Sequence, residues 1–152
     1  MTIEKANSND HEVLTDITKK SKAYWGYSAN QIEAWSNLLT ITETYIENKS
    51  VYKLVIDNEI AGYYAFFSED DQTIKLDNLF ILPKYIGKGF GKMLMNDLFL
   101  KAKTTAANRI LLDAEPYAEK FYVKLGFVKI GKIETSIRDR YLPVMELNIH
   151  IY

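Results

Sequence analysis

Residues 76–94 read LDNLFILPKYIGKGFGKML, and this stretch decides the fold. Its first part belongs to a run, Thr73–Ile81, that is typical of a strand and must end before Pro83, because proline cannot donate to a sheet ladder. Its last part begins a helix expected from residue 89 to about 107, with apolar residues every four positions at Phe90, Leu94, Leu98 and Ala102. A strand, a glycine-rich turn and a helix therefore follow one another directly.

The glycine-rich turn between strand and helix is placed to hold an anion, because exposed amides and the positive end of the helix dipole meet there. Two phosphate-binding motifs do not fit it. The dinucleotide fingerprint G-x-G-x-x-G would need glycine where Lys92 stands, and the P-loop would need glycine at Ile86 and a hydroxyl at Met93. Glycines that only permit a tight turn remain an alternative.

Composition excludes several kinds of chemistry. The chain has 152 residues, 47% of them hydrophobic, which is typical of one domain spanning 1–152, and its net charge of -1 does not attract nucleic acid. Cysteine is absent and the two histidines, His11 and His150, lie at opposite ends, which argues against thiolate chemistry, a histidine triad and a metal site. No run approaches the roughly 18 apolar residues of a membrane span. We expect a cytoplasmic protein.

The remaining pattern alternates helices and strands. A strand at 2–5 precedes two helices, one capped within residues 7–10 and ending near Tyr24, the other running from Ser28 to about Leu39. Strand segments are expected at 44–46, 51–56 and 60–67, with a hairpin turn at 57–58. A strand at 110–113, a short helix from Pro116 to near Gly126, and closing strands at 127–135 and 142–149 complete the chain. This order predicts a mixed α/β or α+β domain.

Two motifs carry a resemblance to a known family. Residues 76–94 resemble the acyl-CoA-binding motif of the GNAT superfamily of N-acetyltransferases, (R/Q)-x-x-G-x-(G/A) after a strand. Residues 118–127, AEKFYVKLGF, are similar to the superfamily's second motif, A-x-x-F-Y-x-x-x-G-F. The chain departs from the pattern at Ile86, where the family has Arg or Gln, and at Tyr117, where Asn is frequent. Cofactor binding at Ile86 would then rest on backbone amides.

The resemblance implies a GNAT-like acyl-CoA N-acyltransferase fold, with a central mixed, mostly antiparallel sheet flanked by helices. It implies acetyl transfer from acetyl-CoA to a primary amine of a small molecule or peptide by direct attack. The central strand would splay from the strand at 110–113 and leave backbone groups for the pantetheine amides. The implied cofactor-binding residues are Leu79, Phe80, Ile81, Ile86, Gly87, Lys88, Gly89, Phe90, Gly91 and Lys92.

The resemblance also implies roles for side chains. Tyr122 would protonate the departing CoA thiolate; its alternative is a packed partner of Phe121. A carboxylate would accept the proton of the attacking amine, Asp77 first, then Asp113 and Glu115, each of which could equally be a surface or capping residue. Trp25, Tyr27 and Asn78 would line the acceptor site, although the two aromatics could be core or interface residues. A further acceptor-side loop, or a solvated turn, comprises Arg138, Asp139, Arg140 and Tyr141.

A catalytically silent acyl-CoA-binding or regulatory module is the alternative function, and a nucleotide-binding protein is a more distant one. The expected partner is the amine acceptor, with neither nucleic acid nor membrane involved. The apolar, strand-prone tail at 142–152 would serve a homodimer or complete the sheet.

Overall fold

A computed structural model describes residues 1–135 and 140–149 and contains one mixed, mostly antiparallel sheet flanked by helices. The strands are β1 (Thr2–Lys5), β2 (Ser50–Ile56), β3 (Glu59–Asp70), β4 (Thr73–Ile81), β5 (Arg109–Asp113), β6 (Val128–Glu134) and β7 (Tyr141–Asn148). The helices are α1 (His11–Tyr24), α2 (Ala29–Ala34), α3 (Ser36–Leu39), α4 (Glu43–Asn48), α5 (Phe90–Ala102) and α6 (Glu119–Lys124). The strand order is β1-β2-β3-β4-β5-β7-β6. The fold class predicted from the sequence is confirmed.

The chain divides into two compact units, and the first comprises residues 1–65 and 78–95. Its buried cluster gathers side chains from α1, α4, β2, β3 and the connections that follow β1 and α3: Ala6, Leu14, Ile17, Ile41, Ile46, Val51, Tyr63 and Ala65. Asn7 caps the 3-10 turn Ser8–Asp10 ahead of α1, and Ser28 caps α2, each through a capping box. The predicted second helix is interrupted at Trp35, so α2 and α3 are separate short helices.

The strand predicted at 44–46 is wrong, because these residues lie in α4. The Thr42 side chain accepts a hydrogen bond from the Tyr45 amide at 3.0 Å and begins the helix. The apolar spacing of Tyr45 and Ile46 fits a strand and a short helix equally well, so the threonine cap decides between them. The hairpin at 57–58 is confirmed: Asp57 and Asn58 have φ of 49° and 64°, the left-handed pair of a tight hairpin turn.

The second unit comprises residues 66–77 and 96–152. Its ladders place β5 antiparallel to β7, and β7 antiparallel to β6, with a register shift between Lys129 and Gly131. β4 runs parallel to β5 from Thr73 opposite Arg109 to Leu76 opposite Leu112. This parallel ladder stops at Leu76, whereas β4 continues to Ile81. β5 itself ends at Asp113, one residue beyond the ladder, so the splay expected between these two strands stays a prediction.

Within the first unit, the last part of β4 lies unusually close to β3. A Cβ added at Gly62 would stand 2.7 Å from the Phe80 carbonyl oxygen and 2.6 Å from Ile81 Cδ1, so only glycine fits there. The Leu82 amide donates to the Ala61 carbonyl at 2.8 Å in the same region. The path of β4 into the glycine-rich turn is thus fixed by backbone contacts with β3.

No helix among the described residues is both long and apolar enough to cross a membrane.

We expect Gly62→Ala to destabilise the protein by about 1 to 3 kcal/mol, because the new methyl group can be accommodated only by moving the backbone of Phe80. Urea unfolding followed by circular dichroism measures the change. Gly131→Ala is the matched control, since a Cβ at Gly131 meets nothing within 4 Å and should change stability by less than about 0.5 kcal/mol. Equal stabilities for Gly62→Ala and the unchanged protein would contradict this account of β4.

Candidate active site

The glycine-rich turn takes a conformation that requires glycine at two positions. Gly87 and Gly89 have φ of 83° and 85°, in the left-handed region that other residues rarely adopt. A Cβ at either position would meet nothing within 4 Å, so the backbone angle and not lack of space selects glycine. Gly91 lies inside the first turn of α5. The turn therefore presents its backbone to open space.

The N-terminus of α5 adds unpaired amides to this turn. The Met93 amide donates to the Gly89 carbonyl at 3.1 Å, which is the first bond of the helix. The amides of Phe90, Gly91 and Lys92 precede it and have no acceptor within the helix. Lys88 and Lys92 are exposed on either side of this helix end. The combination of amides, helix dipole and two ammonium groups makes this helix end a candidate site for a phosphate group.

A small polar cluster anchors the entry to the turn. The Tyr85 hydroxyl donates to Glu59 Oε1 at 2.9 Å, and Lys84 Nζ lies 2.7 Å from the same oxygen. The bonds from Lys84 and Tyr85 hold the pKa of Glu59 below its usual value, so this carboxylate stays charged at neutral pH. The Tyr85 ring packs edge-on against Phe90, with centroids 5.9 Å apart. Ile86 follows Tyr85 and is half-buried.

One aromatic residue expected at the acceptor site, Tyr27, and one expected at the cofactor site, Phe80, lie beside a buried lysine that sequence reasoning missed. Lys22 is 9% exposed, and its ammonium lies 5.4 Å from the centroid of Tyr27 and 5.7 Å from that of Phe80. The structure thus brings Tyr27 and Phe80 together through one cation. A signal was present, because Lys22 follows Leu14, Thr18 and Ser21 on the buried face of α1 at helical spacing.

Two further acceptor candidates make separate contacts in the first unit. Trp25 is 44% exposed and packs edge-on against Tyr24, at 5.0 Å between centroids. Asn78 donates from Nδ2 to the Tyr45 hydroxyl at 2.7 Å. Tyr45 was missed because its segment was predicted as a strand. From its position in α4, the Tyr45 hydroxyl holds the Asn78 side chain on β4.

Tyr122 lies on α6 in the second unit and is packed among aromatic rings. It is 7% exposed and makes edge-on contacts with Phe121 and Phe127, at 5.1 and 5.6 Å between centroids. Burial raises the pKa of Tyr122, so its hydroxyl stays protonated at neutral pH. The aromatic packing of Tyr122 thus holds a protonated hydroxyl in one position.

The glycine of the second motif ends α6. Gly126 has a φ of 103°, and its left-handed conformation reverses the chain after α6. The Phe127 amide then donates to the Tyr122 carbonyl at 3.1 Å, which fixes Phe127 under the Tyr122 ring. The spacing F-Y-x-x-x-G-F therefore has a structural consequence: it orients the tyrosine.

The three candidate carboxylates differ in their surroundings. Asp113 is 2.9 Å from Lys75 Nζ, and Glu115 is 2.7 Å from Arg140 Nη2. Each of these two carboxylates is therefore already engaged by a cation. Asp77 is exposed. Of the acceptor-side loop, Arg138 and Asp139 lie outside the described residues, and Arg140 is occupied by Glu115.

Comparisons with known proteins bear on the family and the fold of the chain. An acetyltransferase (GNAT) domain model matches residues 16–141. The [ribosomal protein bS18]-alanine N-acetyltransferase of Haemophilus influenzae is 33% identical over 91 residues, which cover 60% of this chain and 60% of that relative. The match thus spans less than two thirds of the relative's length.

Two solved structures share the fold. The PaiA N-acetyltransferase of Thermoplasma acidophilum, in complex with coenzyme A, has a TM-score of 0.81 at 21% identity over 97% of this chain and 99% of its own. YncA, a Salmonella typhimurium acetyltransferase with its cofactor acetyl-CoA, has a TM-score of 0.71 at 18% identity over 100% of this chain and 95% of its own. With the family model covering most of its length, the chain belongs to the GNAT acetyltransferase family.

Proposed function

We propose that this protein is an N-acetyltransferase that transfers acetyl from acetyl-CoA to a primary amine of a small molecule or peptide by direct attack. The observation that carries the proposal is the end of β4, followed by a turn with two left-handed glycines and by the unpaired amides of α5. This backbone arrangement suits the pyrophosphate of a CoA ester. The related Haemophilus protein is named for an alanine N-acetyltransferase activity, and an amino-terminal alanine is a primary amine.

The backbone from Gly87 to Lys92 holds the pyrophosphate in this proposal, with Lys88 and Lys92 as flanking cations. Ile86 supplies no donor where the family has Arg or Gln, so amides and lysines bear the whole attraction. Leu79, Phe80 and Ile81 present backbone groups of β4 to the pantetheine arm. The arm then binds β4 by backbone hydrogen bonds, in the way that an added strand binds the edge of a sheet. Their side chains are buried or half-buried and need not touch the cofactor.

Acetyl transfer requires two proton movements. Bound acetyl-CoA supplies the acetyl group as a thioester. As the amine nitrogen forms its bond to the acetyl carbon and the carbon–sulfur bond breaks, Asp77 accepts a proton from the nitrogen, directly or through water, and Tyr122 gives one to the sulfur. The chain has no cysteine to form an acyl-enzyme, which agrees with direct attack. Trp25, Tyr27 and Asn78 line the acceptor side.

Titration with acetyl-CoA, CoA, ATP and NAD, followed by thermal shift and calorimetry, tests the cofactor site. Saturating acetyl-CoA should stabilise the protein by about 2.7 kcal/mol at a hundred times its dissociation constant. Gly89→Ala should weaken binding, because a non-glycine residue in the left-handed region costs about 1 to 2 kcal/mol. Gly131→Ala, which has no such φ, should bind normally. Equal stabilisation by ATP or NAD, or no response, would overturn the cofactor assignment.

Tyr122→Phe keeps the ring packing and removes the hydroxyl. We expect kcat to fall by about a factor of 10² to 10⁴, with unchanged acetyl-CoA affinity. Because burial raises the pKa of Tyr122, the wild-type rate should show no loss from tyrosine ionisation between about pH 6 and 10. Tyr117→Phe is the control, since it removes an exposed hydroxyl close by in sequence. Steady-state release of free CoA is the measurement; unchanged turnover in Tyr122→Phe would refute the role.

Asp77→Asn should lower kcat/KM at neutral pH by about a factor of 10² to 10⁴, because the acceptor ammonium then has no base. The loss should shrink as pH approaches about 10, where the amine deprotonates in solution. Asp113→Asn is the matched control and should lose less, since Asp113 is already held by Lys75. A pH profile of acceptor-dependent CoA release distinguishes the two. Acetyl-CoA binding without turnover for any amine would instead indicate the silent binding module.

A further inference from the structure

The glycine-rich turn at 86–89 connects the 3-10 turn Pro83–Tyr85 to the start of α5 at Phe90. It contains the left-handed glycines Gly87 and Gly89, and a Cβ at either would meet nothing within 4 Å. Glycine loses more conformational freedom on ordering than any other residue. A ligand that binds this backbone therefore binds more tightly if other contacts already hold the turn in its binding shape.

An aromatic contact joins the two ends of this turn. The ring of Tyr85, the residue before the turn, packs edge-on against the ring of Phe90, the residue after it, with 5.9 Å between centroids. Both side chains are half-buried. Edge-on aromatic pairs are favourable beyond the area that they bury. The contact therefore stabilises one separation of the two residues between which the glycines lie.

Glu59 holds the Tyr85 ring in the position that this contact requires. The Tyr85 hydroxyl donates to Glu59 Oε1 at 2.9 Å, and the Tyr85 amide donates to the Leu82 carbonyl at 2.9 Å. The bonds from Lys84 and Tyr85 lower the pKa of Glu59, so the acceptor is a charged carboxylate, and hydrogen bonds to charged groups are the stronger ones. Glu59 is the first residue of β3. The hydroxyl bond thus connects the turn to the sheet.

Charge and hydrogen bonding predict opposite effects for the Glu59 side chain. A carboxylate close to an anion-binding turn repels the anion, so by charge alone a neutral residue at position 59 would improve binding. Lys84 Nζ lies 2.7 Å from Glu59 Oε1, but both side chains of this ion pair are exposed, and such pairs contribute little. If Glu59 acts by holding Tyr85, its removal weakens anion binding instead.

We propose that Glu59 and Tyr85 are positioning residues for the phosphate-binding backbone, and that with Phe90 they form a clamp that keeps the turn in its binding shape. We call these three residues the Tyr85 clamp. The inference rests on the proposed function, since it takes this backbone to bind the pyrophosphate of acetyl-CoA. Ile86, inside the turn, has no side-chain donor, so the order of the backbone has a larger effect on affinity.

Tyr85→Phe keeps the ring and removes only the hydroxyl. We expect the dissociation constant of acetyl-CoA, measured by calorimetry, to rise about 3- to 10-fold, the range set by the net free energy of one hydrogen bond. Glu59→Ala should give a similar loss, although it removes a negative charge. Glu59→Gln keeps an acceptor oxygen for the tyrosine and should restore most of the affinity.

The double variant Glu59→Ala with Tyr85→Phe should bind acetyl-CoA about as weakly as either single variant, because both changes remove the same bond. Asp57→Asn is the matched control for charge. It removes a carboxylate from the hairpin that precedes β3, where asparagine tolerates the left-handed φ of 49°, and should bind acetyl-CoA at least as well as the wild type. Thermal unfolding checks that each variant is folded.

A thioester without phosphate separates an effect on the turn from general damage to the site. S-acetylpantetheine keeps the acetyl group and the pantetheine arm but lacks the pyrophosphate, and nuclear magnetic resonance titration measures its weaker binding. Tyr85→Phe should leave this dissociation constant unchanged. Wild-type affinity for acetyl-CoA in Tyr85→Phe, or equal losses for both thioesters, would overturn the clamp and leave the proposed function intact. Failure of the wild type to bind acetyl-CoA would overturn both.

Discussion

Close backbone contact between β3 and the last part of β4 is the constraint on which the candidate site depends. β4 leaves its ladder with β5 at Leu76 and must still reach Ile81 along a fixed path. Glycine at position 62 permits the Phe80 carbonyl and Ile81 to approach β3, and the bond from Leu82 to Ala61 continues that contact. The turn at 87–89 and the start of α5 follow β4 directly, so their position depends on its path. Because Gly62 has no side chain, β4 can take that path, and the amides proposed to bind phosphate are positioned by it.

Local arrangement and not overall charge supplies the attraction for an anion. The chain's net charge is -1, so a phosphate group far from the site gains little. At the start of α5, unpaired amides and the helix dipole act within one turn, and the exposed Lys88 and Lys92 add charge without a fixed geometry. A side-chain donor at position 86 would add a directed contact, and Ile86 cannot provide it. In the proposed cofactor site, affinity then depends on the two left-handed glycines, Gly87 and Gly89, which keep the amides in place.

Sequence patterns predicted those parts of the molecule that local chemistry decides. The glycine turn, the hairpin at Asp57 and Asn58 and the reversal at Gly126 each need a left-handed backbone, which few residues adopt. α4 was mistaken for a strand because six residues carry too little periodicity to separate the two. The buried Lys22 was missed because lysine is almost always exposed, and its burial depends on Tyr27 and Phe80, which only the fold brings near. The end of the β4 ladder likewise has no local signal.

The difference between features decided by local sequence and features decided by the fold also explains why family membership does not identify the acceptor amine. The two motifs cover roughly residues 76–127, where geometry is prescribed by glycines and by the packing of Tyr122 on Phe127. The acceptor candidates Trp25 and Tyr27 lie instead in the connection between α1 and α2, where aromatic contacts hold both side chains and Lys22 lies over the Tyr27 ring. A buried cation beside Tyr27 and Phe80 already occupies the aromatic faces that could otherwise hold an ammonium group. We therefore propose that recognition of the amine draws on polar groups such as Asn78, whose Nδ2 donates to the Tyr45 hydroxyl; Asn78 lies in the first motif, but Tyr45, which holds it, lies outside both.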